Sequence, residues 1–310
     1  MVSPLLAPAA ALTFLFGWNN SAFLIGNIRG SGTLTLRGAL LTAVVGLLAG
    51  VFVDGPKMLK SLDGFLSPSA SFTTLEITLV ASILVTLCFT TFNLPVSFTA
   101  AMVGAFLGAT YQSGFPINPG QTELVVSFWF VAPLLTGVLT FLVYDGVARL
   151  VSNFGILTVD SINRVGVVVS SLAVSYSLGA NNIGLIYGTA NGTFAGFDDW
   201  AALVGLALLA VLGTALLGRG GVTGTVGDRM LILSPQGVLT VFVTSALVIW
   251  IGTQLAVPIS IGQCVLGGMF GAAYAKSVTV VNKKIAVETV SGWVVVPVAA
   301  FILAYFASAV

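Results

Sequence analysis

The chain is written twice, and that constrains its fold more than any other feature. Phe92-Asn-Leu-Pro95-Val-Ser97, followed by Val103-Gly104-Ala-Phe-Leu-Gly108-Ala-Thr-Tyr111, returns as Leu255-Ala-Val-Pro258-Ile-Ser260 and Leu266-Gly267-Gly-Met-Phe-Gly271-Ala-Ala-Tyr274. Val126-Ser127-Phe-Trp129-Phe-Val-Ala-Pro133 returns as Val290-Ser291-Gly-Trp293-Val-Val-Val-Pro297. Earlier in each copy, Gly17-Trp18-Asn19-Asn20 matches Gly179-Ala180-Asn181-Asn182. The offset is 162 residues at the Asn-Asn motif, 163 at Pro-x-Ser and 164 at the Trp-Pro motif. Apolar sequence matches itself by chance, but not with Pro, Trp and paired Asn in one order and near-constant register.

Each copy contains five apolar elements, roughly 4–27, 36–53, 74–92, 95–111 and 124–148, then 163–187, 199–217, 237–255, 258–275 and 286–308. Most approach the ~20 residues a helix needs to cross a bilayer. Only 7% of residues are charged and 57% are hydrophobic, against about 25% charged in a soluble domain. The solvent is therefore largely lipid. A β-barrel would show short alternating segments instead. The fold class expected is an all-α polytopic membrane protein, with residues 1–150 as a first repeat, 151–162 as a short linker and 163–310 as a second repeat. No positive residue precedes Arg29, so residues 1–28 read as a membrane helix rather than a cleaved secretory signal.

Five crossings per copy is odd, so the second copy is expected upside down relative to the first. With the N-terminus outside, the inner loops hold Arg29, Arg37, Arg149, Arg164, Arg219, Arg229, Lys276, Lys283 and Lys284, while the outer loops hold only Lys57 and Lys60. That is the bias of the positive-inside rule. The loop with Arg29 and Arg37 has Asp198 and Asp199 in its counterpart. Both termini are thus expected outside a multi-pass protein of the plasma (cell) membrane. Inverted repeats with discontinuous helices around a midplane site are an architecture of secondary transporters.

Polar and helix-breaking residues inside apolar spans mark where the site lies, because lipid tolerates irregular backbone only beside a cavity or protein. Asn19, Asn20 and Ser21 interrupt the first helix; Ser175, Ser177, Asn181 and Asn182 interrupt its counterpart. One such pair would be ordinary interhelical hydrogen-bonding glue. Two in matching positions point to a shared cavity. Pro95-Val-Ser97-Phe-Thr99 and Pro258-Ile-Ser260-Ile-Gly-Gln263 read as helix starts, with Pro in the first turn. Free N–H groups and a Ser hydroxyl there suit an anion. The candidate substrate-binding residues are Asn19, Asn20, Ser21, Ser97, Thr99, Asn181, Asn182, Ser260 and Gln263. Gly46/Gly50, Gly104/Gly108 and Gly267/Gly271 read as close-packing faces.

Several classes are disfavoured. The chain has no histidine, which removes most zinc sites and the Ser-His-Asp triad. Cys88 and Cys264 lie far apart in apolar runs and read as buried hydrophobes. A net charge of +1 offers nothing to nucleic acid. No cofactor and no enzymatic activity are expected. A channel remains the competing class.

These motifs resemble the inorganic phosphate transporter (PiT) family, which includes bacterial sulfate permeases. The family carries Gly-Ala-Asn-Asp-x-Ala-Asn once per half. Gly17 to Phe23 and Gly179 to Leu185 occupy that motif, Gly30-Ser31-Gly32-Thr33-Leu34-Thr35 matches the family's Gly-Ser-x-x-Leu-Thr, and Leu94-Pro95-Val-Ser97 and Val257-Pro258-Ile-Ser260 match its helix starts. Three departures stand out. The motif aspartate is Asn20 and Asn182, the last asparagine is Phe23 and Leu185, and the usual Thr-His is Thr99-Ala100 and Gly262-Gln263. The resemblance implies secondary transport of a tetrahedral inorganic anion, coupled to a sodium ion or a proton, in the bilayer. A homodimer is compatible with it. The family's aspartates are implicated in sodium and phosphate binding, so Asn20 and Asn182 are the candidate cation-coupling positions, with no metal beyond such a sodium ion. Hard cations prefer carboxylates, so two amides put sodium coupling in question. A neutral site also leans toward sulfate, which has no proton to place; the family as a whole leans toward phosphate, which stands narrowly first.

Overall fold

The computed structural model of the protein describes residues 5–58, 71–190, 199–218, 220–276 and 282–309. Lys60, Asp198 and Arg219 lie outside these. The regular elements among the described residues are all helices. The first half comprises α1 (Leu6–Gly30), α2 (Leu36–Asp54), α3 (Phe72–Thr91), α4 (Phe98–Gln112) and α5 (Pro119–Val151). The second comprises α6 (Ile156–Leu178) continued by α7 (Gly184–Thr189), then α8 (Asp199–Leu217), α9 (Pro235–Gln254), α10 (Ile261–Ala275) and α11 (Lys283–Ala307). Polar caps set several starts. Thr35, Ser71, Asn118, Ser234 and Asn282 each accept the N–H of the third residue onward, worth about 1 kcal/mol apiece.

Among the described residues, seven helices are long and apolar enough to cross a membrane. The side chains they leave exposed are Leu, Val, Ile and Phe, for example Leu134, Val138 and Leu142 on α5 and Val294, Val298 and Ile302 on α11. Such an apolar exterior is what a lipid solvent requires. At 25 residues α1 is long enough, but its asparagines lower its hydropathy. With 15 residues each, α4 and α10 are about 22 Å long at 1.5 Å per residue, short of a ~30 Å hydrocarbon core.

The packing is reciprocal between the halves. Helix α4 lies chiefly on α11 and α10 on α5; α1 lies on α8 and α2 on α6. Glycines make these approaches. A Cβ on Gly104 would strike the Pro297 carbonyl oxygen, and one on Gly267 the Pro133 carbonyl oxygen. A Cβ on Gly50 would strike the Tyr176 carbonyl and one on Gly213 the Phe14 carbonyl. Each contact recurs with its roles exchanged between the halves. The small-xxx-small faces read from sequence are therefore backbone-to-backbone contacts.

Four expectations need correction. Cys88, expected buried, is exposed on α3, while Cys264 is buried. The linker is shorter than 151–162: α5 runs to Val151 and α6 begins at Ile156. An Asp160–Arg164 pair at i,i+4, 2.8 Å apart, supports helix where a linker was expected. Helix α1 does not break at Asn19-Asn20 but runs unbroken, since Asn20 Nδ2 donates back to the Phe16 carbonyl (3.0 Å) instead of opening the turn. Only the second copy is interrupted, by a π-helical segment, Gly179–Ile183. Finally, Pro95 and Pro258 do not occupy the first helical turn. They sit two residues before Ser97 and Ser260, which are the N-caps of α4 and α10.

Candidate functional site

The site begins where α3 and α9 end. Asn93 (φ 60) and Ala256 (φ 54) are the two non-glycine residues with positive φ among the described residues. They hold matching places in the repeat, and each reverses the chain so that a short extended segment leads into a Ser cap. Ala256 gains nothing from this conformation, which costs an ordinary residue about 1–2 kcal/mol. Ser97 Oγ accepts from Ala100 N (3.1 Å) and Ser260 Oγ from Gln263 N (3.4 Å). Each hydroxyl retains its own hydrogen to donate. Ser97→Ala and Ser260→Ala are each expected to lower stability by about 1 kcal/mol, read as a lower thermal midpoint in detergent.

The second asparagine pair is bonded into the start of α10. Asn181 Nδ2 donates to Thr253 Oγ1 (3.1 Å) and the Val257 carbonyl (3.0 Å), and its Oδ1 accepts from Ile259 N (3.0 Å). The widened π turn brings this side chain to the extended segment, satisfying backbone groups that no helix serves. Asn182 reaches across to the other half. Its Nδ2 lies among three oxygens: Thr99 Oγ1 at 3.0 Å, the Ile259 carbonyl at 3.3 Å and Asn181 Oδ1 at 3.4 Å. Thr99, in the first turn of α4, also donates to the Ile259 carbonyl (3.4 Å). The starts of α4 and α10 are thereby joined.

The first asparagine pair is held more loosely. Asn19 Nδ2 donates to Thr90 Oγ1 (2.9 Å), the counterpart of the Asn181–Thr253 bond. Its Oδ1 is buried with no partner, as are Asn182 Oδ1 and Gln263 Nε2. Helix α1 still borders both starts: Phe16 meets Phe98 edge to face at 5.0 Å, and the Phe23 ring lies where a Cβ on Gly262 would go. Ser21 departs from the cluster. Its hydroxyl lies 2.8 Å from Thr223 Oγ1 and donates to the Trp18 carbonyl at 2.6 Å.

All nine sequence-predicted residues are buried, so water is excluded in this conformation. The structure brings Thr99, Asn181 and Asn182 into one hydrogen-bonded group with the segment that leads to Ser260. It leaves Asn20 bonded within its own helix. None of the nine carries a formal charge. Among the described residues no group of three His, Cys, Asp or Glu side chains is placed to hold a metal ion. The chemistry on offer is amide and hydroxyl donors, amide carbonyl oxygens and two helix N-termini. Such groups can bind and orient an ion.

Sequence reasoning missed one polar centre. Asp54, at the C-terminal end of α2, is buried and gathers four partners. It pairs with Lys57 at 2.6 Å and accepts from Tyr176 (2.8 Å), Trp250 (3.1 Å) and Gln254 (3.2 Å). An acid at a span end reads as a loop residue. The sequence signal was an amphipathic residue at 176 and 250 where the repeat has Phe14 and Leu87.

Buried polar side chains between discontinuous helices in a lipid-facing bundle define a polytopic membrane transporter. Residues 16–304 match the model of the phosphate transporter family, and the chain belongs to that family. Its members are transporters, not enzymes. A protein of Methanocaldococcus jannaschii named as a candidate phosphate permease is 24% identical over 297 residues, 95% of this chain and 92% of that one. The sulfate permease of Bacillus subtilis is 27% identical over 315 residues, covering 96% of this chain and 86% of the permease. A solved structure described as the sodium-dependent phosphate transporter superposes with a TM-score of 0.85 at 19% identity, over 98% of this chain and 96% of that chain. It shares the fold.

Proposed function

We propose that the protein is a secondary permease that carries a tetrahedral inorganic oxyanion through the cell membrane, inorganic phosphate first, coupled to a sodium ion or proton. The observation that carries this reading is the pair of Ser-capped helix starts, α4 and α10, joined through Thr99 and Asn182. Two positive helix ends, two free hydroxyl hydrogens and the unpartnered Gln263 Nε2 suit an anion. The unpartnered carbonyl oxygens of Asn19 and Asn182 suit a hard cation beside it. The halves are inverted repeats about an axis in the membrane plane, which the reciprocal packing and odd number of elements support, and both termini lie outside.

A second reading, sulfate, is favoured by a specific observation. The candidate site has no carboxylate, so the proton that phosphate retains at neutral pH meets only neutral amide acceptors there. Sulfate needs donors alone. The experiment is uptake of radiolabelled phosphate and of sulfate into proteoliposomes, with sodium and proton gradients imposed separately. Saturable uptake driven by one gradient supports a coupled permease. Linear flux insensitive to either gradient supports a channel.

A further inference from the structure

We propose that Asp54 is a positioning residue for the substrate site, and that it fixes Asn181 and through it the start of α10. The inference rests on the transport reading above.

Asp54 is an acid with a buried side chain. It ends α2 of the first half, yet its three neutral partners lie on the second half: Tyr176 on α6, Trp250 and Gln254 on α9. The carboxylate is followed by a 3₁₀ turn, Gly55–Met58. Lys57 on that turn pairs with Asp54 and donates to Gln254 Oε1 (2.5 Å). The cluster is therefore closed: one acid, one cation, and an amide serving both.

Its connections lead to the site. Met58, at the end of the turn, contacts Asn181 Nδ2 through its sulfur at 3.6 Å. The Gly55 carbonyl presses on Gly184, just past the π turn, where a Cβ would not fit. Gln254 follows Thr253, which accepts from Asn181. Asn181 in turn fixes Val257 and Ile259, the two residues that flank Pro258 and lead to the Ser260 cap. Asp54 thus holds the frame on which the α10 start is aimed.

The first half has no equivalent. Leu217, Phe14, Leu87 and Thr91 stand where Asp54, Tyr176, Trp250 and Gln254 would be matched. At this matched pair of positions, then, Asn181 is bonded at both ends of its amide while Asn19 keeps an open oxygen.

The test is the concentration dependence of radiolabelled phosphate and sulfate uptake into proteoliposomes, normalised to folded protein. Asp54→Leu installs the residue the repeat has at this place. Its KM is expected to rise about tenfold, with the maximal rate per folded molecule within about twofold, since hydrogen bonds to a charged group are lost away from the substrate. The neutral double variant Asp54→Asn with Lys57→Gln keeps a mutually satisfied set of donors and acceptors, and is expected to return KM to within about threefold of wild type. A merely structural role would lower the amount of folded protein and leave KM alone. Should Asp54→Leu not fold, Trp250→Phe and Gln254→Leu carry the test, each expected to raise KM about threefold for the loss of one donor. Wild-type KM in the foldable variants overturns the inference. A wild-type protein with no saturable uptake overturns the transport reading instead.

Discussion

Gly50→Val is expected to abolish recovery of folded protein, and Gly213→Val to do the same. At each position the added Cβ would fall inside the contact distance of a backbone carbonyl on the facing helix, Tyr176 for Gly50 and Phe14 for Gly213. Relaxed carbon contacts need about 3.5 Å, and a backbone atom cannot turn aside as a side chain can. The helices must part, and every neighbouring contact is lost with them. Overpacking alone costs about 1–3 kcal/mol and more where backbone must move, a large share of the ~5–15 kcal/mol that holds a typical domain. Gly146, with nothing within 4 Å of its added Cβ, is the control: Gly146→Val should be recovered normally. The measure is the monodisperse fraction after detergent extraction and size-exclusion chromatography. Full recovery of Gly50→Val would mean that α2 and α6 are not in backbone contact.

Asn182→Asp is expected to make uptake more sodium-dependent and to raise preference for phosphate over sulfate by about tenfold or more, the worth of one hydrogen bond to a charged group. The amide nitrogen of Asn182 now fills a cage of three oxygens from Thr99, Ile259 and Asn181. That ligand set suits an alkali cation, and the amide stands in its place. A carboxylate cannot donate to those oxygens, so it faces repulsion from the Ile259 carbonyl until a cation or proton intervenes. A charged oxygen also accepts the phosphate proton and repels sulfate. Asn20→Asp should act in the same direction but less strongly, because Asn20 bonds only within its own helix in this conformation. Competition uptake with purified variants, at varied sodium, reads both effects. Unchanged selectivity and sodium response in both variants would remove these positions from the ion site.

Most of the scaffold was legible in the residues because lipid imposes long apolar helices. The expected spans 36–53 and 199–217 meet α2, Leu36–Asp54, and α8, Asp199–Leu217. The Gly-xxx-Gly faces were legible for the same reason: only a missing Cβ permits such approach. The breaks were not. Whether a helix carrying Asn-Asn stays regular depends on what its side chains meet in space. Asn20 meets its own Phe16 carbonyl and α1 continues; Asn181 meets Ile259 and the chain widens into a π turn. Pro95 and Pro258 drew attention to the helix starts, but serine does the capping. Asp54 escaped notice because its partners lie 122, 196 and 200 residues away, beyond any local pattern. Among the site residues, the link between Thr99 and Asn182 joins opposite halves and follows from the repeat only once the two are known to interlock.

The most direct test of oxyanion transport through the α4 and α10 starts is counterflow. Proteoliposomes are loaded with unlabelled phosphate or sulfate and given a trace of the labelled anion outside, with no ion gradient. An alternating carrier predicts transient accumulation of label above its external concentration, lost when Ser97 and Ser260 are both replaced by alanine in protein that still folds. Equilibration of label without overshoot in the wild type, or overshoot unchanged in the double variant, would contradict it.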